Sequence, residues 1–243
     1  MATALSVNLN KIALLRNSRG RDYPSVLGYA RRFIDLGVQG ITIHPRPDER
    51  HIRRQDALDL AAFLQRHDDV ELNIEGYPSE DFLLLVEKTR PAQCTLVPDE
   101  PGQLTSDHGW DFHIHLNKLT PLIARLQAAG IRVAVFLDPD PEQVTLAAQA
   151  GADRIELYTE AYARAFMRSD LALVLEQYRL AAQQAQTLGL GVNAGHDLNL
   201  QNLRRFLSIG GILEVSIGHA LTVECIDQGI EKVLAQYLAI CRD

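Results

Sequence analysis

Apolar positions fall into eight short runs, residues 5–8, 40–44, 71–75, 93–97, 132–138, 154–158, 189–193 and 213–217, each followed by a stretch in which apolar residues recur at helical spacing. The helical stretches are 25–36, 54–66, 80–88, 118–129, 141–150, 171–188, 199–207 and 223–241. Several close on glycine (Gly37, Gly130, Gly151, Gly189), which enters the left-handed conformation at a helix C-terminus most easily. Strand then helix, eight times over, predicts an α/β fold: a single-domain (β/α)8 TIM barrel spanning residues 1–243.

The length of 243 residues agrees with the roughly 250 usual for that barrel and leaves no room for a second domain. A chain that is 47% hydrophobic can fill a large core. Its net charge of −7, without a basic tail, argues against nucleic acid as a partner, because phosphate backbones require clustered Lys and Arg. No apolar run approaches the roughly 20 residues of a membrane span, and the first run begins without a basic leader, so no membrane contact and a cytoplasmic location are expected. Cys94, Cys225 and Cys241 have spacings of neither a disulfide framework nor a zinc site, and Cys94, inside a strand run, reads as a buried small hydrophobe.

Catalytic groups of a TIM barrel sit at the C-terminal ends of its strands and in the loops that follow. Read for those positions, the chain offers Asn8, Asn10 and Lys11, then His44 and Arg46, Glu75, Thr105, Asp138, Glu156, Asn193 and His196, and Ser216, Gly218 and His219. Glu75 and Glu156 end apolar strands, where desolvation raises a carboxyl pKa toward the range useful for proton transfer. The alternative is a buried ion pair with Arg46 or Arg154. Gly195-His196 and Gly218-His219 follow the last two strands, where barrels build phosphate sites from backbone N–H groups, and Arg19, Arg46 and His51 can add side-chain donors. A first-strand His-x-His metal pair is missing. The one His-x-His, His113-Ile-His115, is expected before the fourth helix, exposed, so no metal site is expected.

The blocks Asn8-Leu-Asn10-Lys11-Ile-Ala-Leu-Leu-Arg16-Asn-Ser-Arg19-Gly20, Gly40-Ile-Thr-Ile-His44 with Arg46 and His51, Leu72-Asn-Ile-Glu75, Leu96-Val-Pro98, Leu104-Thr105, Ile155-Glu-Leu-Tyr-Thr159, Val192-Asn-Ala-Gly-His196 and Ile217-Gly-His219-Ala220 together resemble the pyridoxine 5′-phosphate synthase (PdxJ) family over nearly the whole chain. The resemblance implies condensation of 3-amino-2-oxopropyl phosphate with 1-deoxy-D-xylulose 5-phosphate to pyridoxine 5′-phosphate, phosphate and water, with no metal or organic cofactor, in a homo-octamer. By position, His44 and Glu75 match the family's proton acceptors, His196 its proton donor and Glu156 a residue that stabilises the transition state. Asn8, Arg19, Gly218 and His219 match contacts to the amino-ketone phosphate, and Arg46, His51 and Thr105 match contacts to the deoxyxylulose phosphate.

Three positions depart from the family pattern. Asn10-Lys11 stand where the family has Asp-His against the deoxyxylulose phosphate, Asp197 replaces a Gly after the strand-seven His, and Ser216 replaces an Asn. Asp197 is expected as an outward-pointing cap of the seventh helix that leaves its N–H available to substrate. A metal-free sugar-phosphate isomerase or aldolase, or a non-catalytic phosphate-binding paralogue, are the competing functions for such a barrel.

Overall fold

The computed structural model describes residues 2–99, 102–103 and 106–242. Its elements follow in the order β1 (Ala4–Asn8), α1 (Asn10–Asn17), α2 (Val26–Asp35), β2 (Gly40–Ile43), α3 (Arg54–Leu64), β3 (Glu71–Gly76), α4 (Glu80–Thr89), β4 (Gln93–Leu96), α5 (Phe112–Ala128) and β5 (Arg132–Leu137). There follow α6 (Pro141–Gln149), β6 (Arg154–Tyr158), α7 (Glu160–Ala165), α8 (Leu171–Thr187), β7 (Gly191–Gly195), α9 (Leu203–Leu207), β8 (Ile212–Ile217), α10 (His219–Gln228) and α11 (Ile230–Arg242). The eight strands pair in parallel, each with the next and β8 with β1, closing the TIM barrel the hydropathy pattern predicts. Helix starts are fixed locally: Ser25 accepts from the Gly28 N–H, Ser79 from Phe82, and Asp140, ahead of Pro141, from Glu142. Gly37, Gly130, Gly151 and Gly189 all have positive φ, as the predicted helix endings require.

Several boundaries differ from the expected ones. β7 runs from Gly191 to Gly195, two residues later than its apolar run, because Gly189 and Leu190 are needed to leave α8, and the ladder to β6 extends to Tyr158↔Gly195. α5 begins at Phe112, not at residue 118: Asp111 caps it through the His113 N–H, and Phe112 is buried. His113 and His115 therefore lie within that helix rather than before it. The expected helix 223–241 is two helices, divided at Gly229, whose φ of 91 ends α10. The short helices α1 and α7 occupy stretches with no helix expected; α1 forms because Ile12, Ala13 and Arg16 share an inward face.

Strand alternation places the core between sheet and helices. Leu5, Val7, Ile41, Ile43, Leu72, Ile74, Val133, Val135, Ile155, Leu157, Val215 and Ile217 belong to one buried cluster with helix residues such as Phe33, Leu60, Val86, Ile123, Val144 and Tyr178. Most of the alternate positions, which face the lumen, are polar, β5 with Ala134 and Phe136 excepted, where such barrels are ordinarily filled by branched aliphatic side chains. Ser6 bonds Thr42 at 2.7 Å and Thr95 donates to Asn73 at 3.0 Å. Asn193 reaches Gln93 at 3.3 Å, joining β7 to β4 across the barrel. At the N-terminal end Arg154 donates to Asn193 and lies 3.7 Å from Glu214, while Arg132 pairs with Glu71.

Glu214 is buried in this lumen, and burial pushes its carboxyl up to about 7, although Arg154 opposes the shift. The folded chain thus holds a proton that the unfolded chain releases near pH 4.5, so this group's contribution is fully favourable below pH 4.5 and is lost as pH climbs to about 7. Glu214→Gln is expected to flatten that decline. Melting temperatures of the two proteins at pH 5 and pH 8 check it: the parent should lose more on going to pH 8 than the variant does, and equal losses would contradict the shift.

Candidate active site

The strand C-termini open into a cavity of about 500 Å³ lined by residues of every strand end or following loop except that of β5, which contributes Phe136 from within the strand. Asn8, Asn10, Lys11, His44, Arg46, His51, Glu75, Glu156, His196, Asp197, Gly218 and His219 all line it, so the convergence expected from their strand-end positions is present. Ser216 lines it as well. Arg19 does not: it is exposed in the turn after α1, outside the lining. Thr105 lies outside the described residues. Asp138, at the end of β5, accepts from the Gly109 N–H and braces that loop.

The β1, β2 and β3 ends form one wall. Asn8 Oδ1 accepts from the Asn10 N–H and Asn10 Oδ1 accepts from the His44 N–H, both at 3.0 Å, so the first loop buttresses the residue that follows β2. Asn8 Nδ2 donates to Glu75 Oε2 at 3.5 Å, and His44 Nδ1 stands 4.0 Å from the same oxygen. Burial, then the Arg46 guanidinium, hold the His44 imidazole well below its usual pKa of 6.5. Burial, then the Glu156 carboxylate, push Glu75 well above the carboxylate range. His51 accepts the Ile52 N–H on Nδ1, and burial with Arg46 lowers it to about 4. Lys11 is half-buried and adds positive charge toward both His51 and His196.

Glu156 is buried and makes no ion pair among the described residues: Arg46 is paired with Asp99 at 2.5 Å and Arg154 turns to Glu214. Burial, followed by the charge of Glu214, pushes Glu156 up to about 8. The missing Cβ of Gly195 makes room for it, since a methyl group there would sit 2.5 Å from Glu156 Oε1. His196 packs edge-on against Tyr158, centroids 5.0 Å apart, and Phe136 at 5.9 Å, and burial lowers its pKa.

Asp197 is exposed and in the left-handed region, φ 57, and does not cap α9, whose N-cap is Asn202 without a side-chain cap; Asn199 Oδ1 holds the turn before that helix, accepting from the Gln201 and Asn202 N–H groups. The expected cap is corrected, while the residue remains in the cavity lining. At the last strand Gly218 precedes α10, whose first turn begins at His219. Gly218 permits β8 to approach β1, since a Cβ there would meet Asn8 Cβ at 3.0 Å.

Several residues here are not singled out by strand-end position alone. Asp99 accepts from both Arg46 and, at 2.7 Å, Ser106. Tyr158 donates to Glu160 at 2.5 Å, and Phe136, Tyr158 and Val97 form a small apolar wall. The polar residue at every second strand position was the signal for Glu214. Nothing local marks Asp99 or Ser106. Among the described residues no three His, Cys, Asp or Glu side chains group closely enough to hold a metal ion.

The family model described as "Pyridoxal phosphate biosynthesis protein PdxJ" matches residues 5–243. The pyridoxine 5′-phosphate synthase of Bacteroides fragilis (strain YCH46) is 50% identical over 236 residues, 97% of this chain and 98% of its own. That of Chelativorans sp. (strain BNC1) is 47% identical over 246 residues, 99% of each chain. A solved phosphoribosyl anthranilate isomerase from Thermotoga maritima superposes with a TM-score of 0.61 at 12% identity, covering 98% of both chains, a likeness of fold alone.

The first N–H groups of α10 have no carbonyl ahead of them within the helix and carry its positive dipole end toward the cavity. Crystals soaked in inorganic phosphate are expected to show an anion against the backbone of Gly218, His219 and Ala220. An anion bound only at the opposite face of the barrel would contradict this.

Proposed function

The chain belongs to the PdxJ family of pyridoxal phosphate biosynthesis proteins, and from that premise we propose that it is a pyridoxine 5′-phosphate synthase. It joins 3-amino-2-oxopropyl phosphate to 1-deoxy-D-xylulose 5-phosphate and closes the ring, releasing inorganic phosphate and two molecules of water. The observation that carries the reading is one cavity at the strand C-termini lined by two carboxyls whose pKa burial raises, Glu75 and Glu156, and two imidazoles whose pKa burial lowers, His44 and His196. Condensing an amine with a ketone and eliminating water and phosphate requires protons to move on and off several atoms in sequence. Carboxyls raised toward neutrality by burial, beside imidazoles that burial keeps in the basic, unprotonated form, suit that work.

His44 is assigned as a proton acceptor because it is neutral at pH 7 and its ring lies beside Glu75, which exchanges protons with it over 4.0 Å once substrate bridges them. Glu156, protonated up to about pH 8, donates a hydrogen bond to oxygen as negative charge develops there, a transition-state role. His196 is assigned as the proton donor for departing water. Two phosphorylated substrates bring negative charge into the cavity and raise the pKa of each imidazole, so binding itself charges His196 with the proton it later gives up. Asn8, Gly218 and His219 are assigned to the amino-ketone phosphate, and Arg46, His51 and Thr105 to the deoxyxylulose phosphate, with the Asp197 N–H facing substrate. The reaction is proposed to need neither metal nor organic cofactor.

Assembly as a homo-oligomer, an octamer by resemblance, is part of the same proposal, together with a cytoplasmic location. Exposed Leu14, Leu15, Val223 and Ile226 on α1 and α10 support self-association. No helix among the described residues is long and apolar enough to cross a membrane.

Glu75→Gln and His196→Asn are expected to lower kcat by at least about a hundredfold with the fold intact, as for lost acid or base groups. Steady-state assays with both substrates, alongside circular dichroism, check this, and near-normal rates in both variants would overturn the assignments. Lys11 stands where the family offers an imidazole, and its ammonium is proposed to serve as a point-charge ligand for the deoxyxylulose phosphate. Lys11→Ala should then raise KM for that substrate roughly tenfold, equivalent to about 1.4 kcal/mol, and leave KM for the amino-ketone little changed, while Lys11→His recovers part of the loss. Unchanged kinetics in Lys11→Ala would make Lys11 a surface residue.

A further inference from the structure

Thr159 sits between β6 and α7 at the N-cap position of that helix, where a threonine hydroxyl ordinarily accepts from the helix's own N–H groups. It does not do so here. Thr159 is completely buried, and its Oγ1 turns the other way, onto the neighbouring strand: it lies 2.6 Å from the Gly195 carbonyl oxygen and also contacts the carbonyl oxygen of His196. The Thr159 N–H donates to the same Gly195 carbonyl at 2.9 Å. Two successive carbonyls can converge on one hydroxyl only if the chain turns sharply between them, and His196 has φ 84, with Asp197 following at φ 57. Neither residue is glycine, and side chains with a Cβ adopt this conformation rarely unless their surroundings impose it.

The same turn brings the His196 ring into the cavity, against the edges of Tyr158 and Phe136. We propose that Thr159 is a positioning residue for His196: by holding the carbonyls of Gly195 and His196 in a left-handed turn, its hydroxyl aims the imidazole at the substrate. The inference rests on the role of His196 as proton donor proposed above. Thr159 itself touches no substrate, being buried beneath the loop and absent from the cavity lining.

The test is a double-mutant cycle measuring kcat and KM for Thr159→Val, His196→Asn and the double variant, with Thr159→Ser and Thr159→Ala beside them and circular dichroism on each. Thr159→Val keeps the shape and loses the donor. It should lower kcat at least roughly tenfold, because misplacing a catalytic group by a fraction of its bond reach costs that much, with both KM values within about threefold of the parent. Thr159→Ser should restore kcat to within about threefold, and in the His196→Asn background Thr159→Val should cost nothing further. An equal loss in both backgrounds, with His196→Asn itself impaired, would overturn the positioning role alone. A fully active His196→Asn protein would instead remove the role of His196, and the inference with it. A Ser variant as damaged as Val, or Val and Ala variants that both fail to fold, would make Thr159 a structural residue only and equally overturn the proposal.

Discussion

Desolvation of carboxyl groups inside the barrel is the constraint on which the rest of this structure depends. Glu75, Glu156 and Glu214 are all buried within one lumen, and among the described residues only Glu214 has an arginine within ion-pair distance, Arg154 at 3.7 Å. A buried carboxylate without a close cation costs several kcal/mol, so such a group keeps its proton into the neutral range. Glu156 and Glu214 also raise Glu75, and Glu214 raises Glu156, since each ionisation places a charge in the same low-dielectric space. The other lumen residues, Ser6, Thr42, Asn73, Gln93, Thr95 and Asn193, bond laterally and across the barrel and give no charge to neutralise these carboxyls.

The histidines respond to the same environment in the opposite sense. Burial removes the proton from His44 and lowers His196, and the nearby Arg46 strengthens the effect at His44. The cavity thus sets carboxyls raised by burial beside imidazoles lowered by it, an arrangement suited to proton transfer. Arg46 is held rigid by Asp99, itself bonded to Ser106, and the first loop is braced by the Asn8, Asn10 and His44 hydrogen bonds. The site is preorganised on both sides of the mouth, so binding needs to order little of the protein.

The barrel was legible in the sequence because eight apolar runs alternated with helical spacing, and every strand appears close to its run. What displaced the ends of β7 and α5 was chemistry the spacing does not register: a left-handed Gly189 and the Asp111 cap. Among the residues that line the cavity, His44, Glu75, Glu156, His196, Gly218 and His219 were legible as lining because strand-end position and residue type coincide. Arg19, expected as a side-chain donor, lies outside the lining in an exposed turn beyond α1, a helix with no expected counterpart. Glu214 was overlooked because a strand read as an apolar run hides its alternation: Glu214 and Ser216 face the lumen in turn with the core residues Val215 and Ile217, after an irregularity in the β7–β8 register. Asp99 and Thr159 meet Arg46 and Gly195, partners distant in sequence, which only the folded barrel brings together.

The central claim is that this cavity condenses two different phosphorylated molecules. Purified protein mixed with 3-amino-2-oxopropyl phosphate and 1-deoxy-D-xylulose 5-phosphate tests it most directly, with pyridoxine 5′-phosphate followed by absorbance and inorganic phosphate by a coupled assay. The account predicts one phosphate released for each pyridoxine 5′-phosphate formed, and neither product from either substrate alone. Turnover of a single sugar phosphate without the amine, or binding of both substrates with no ring formed, would contradict it.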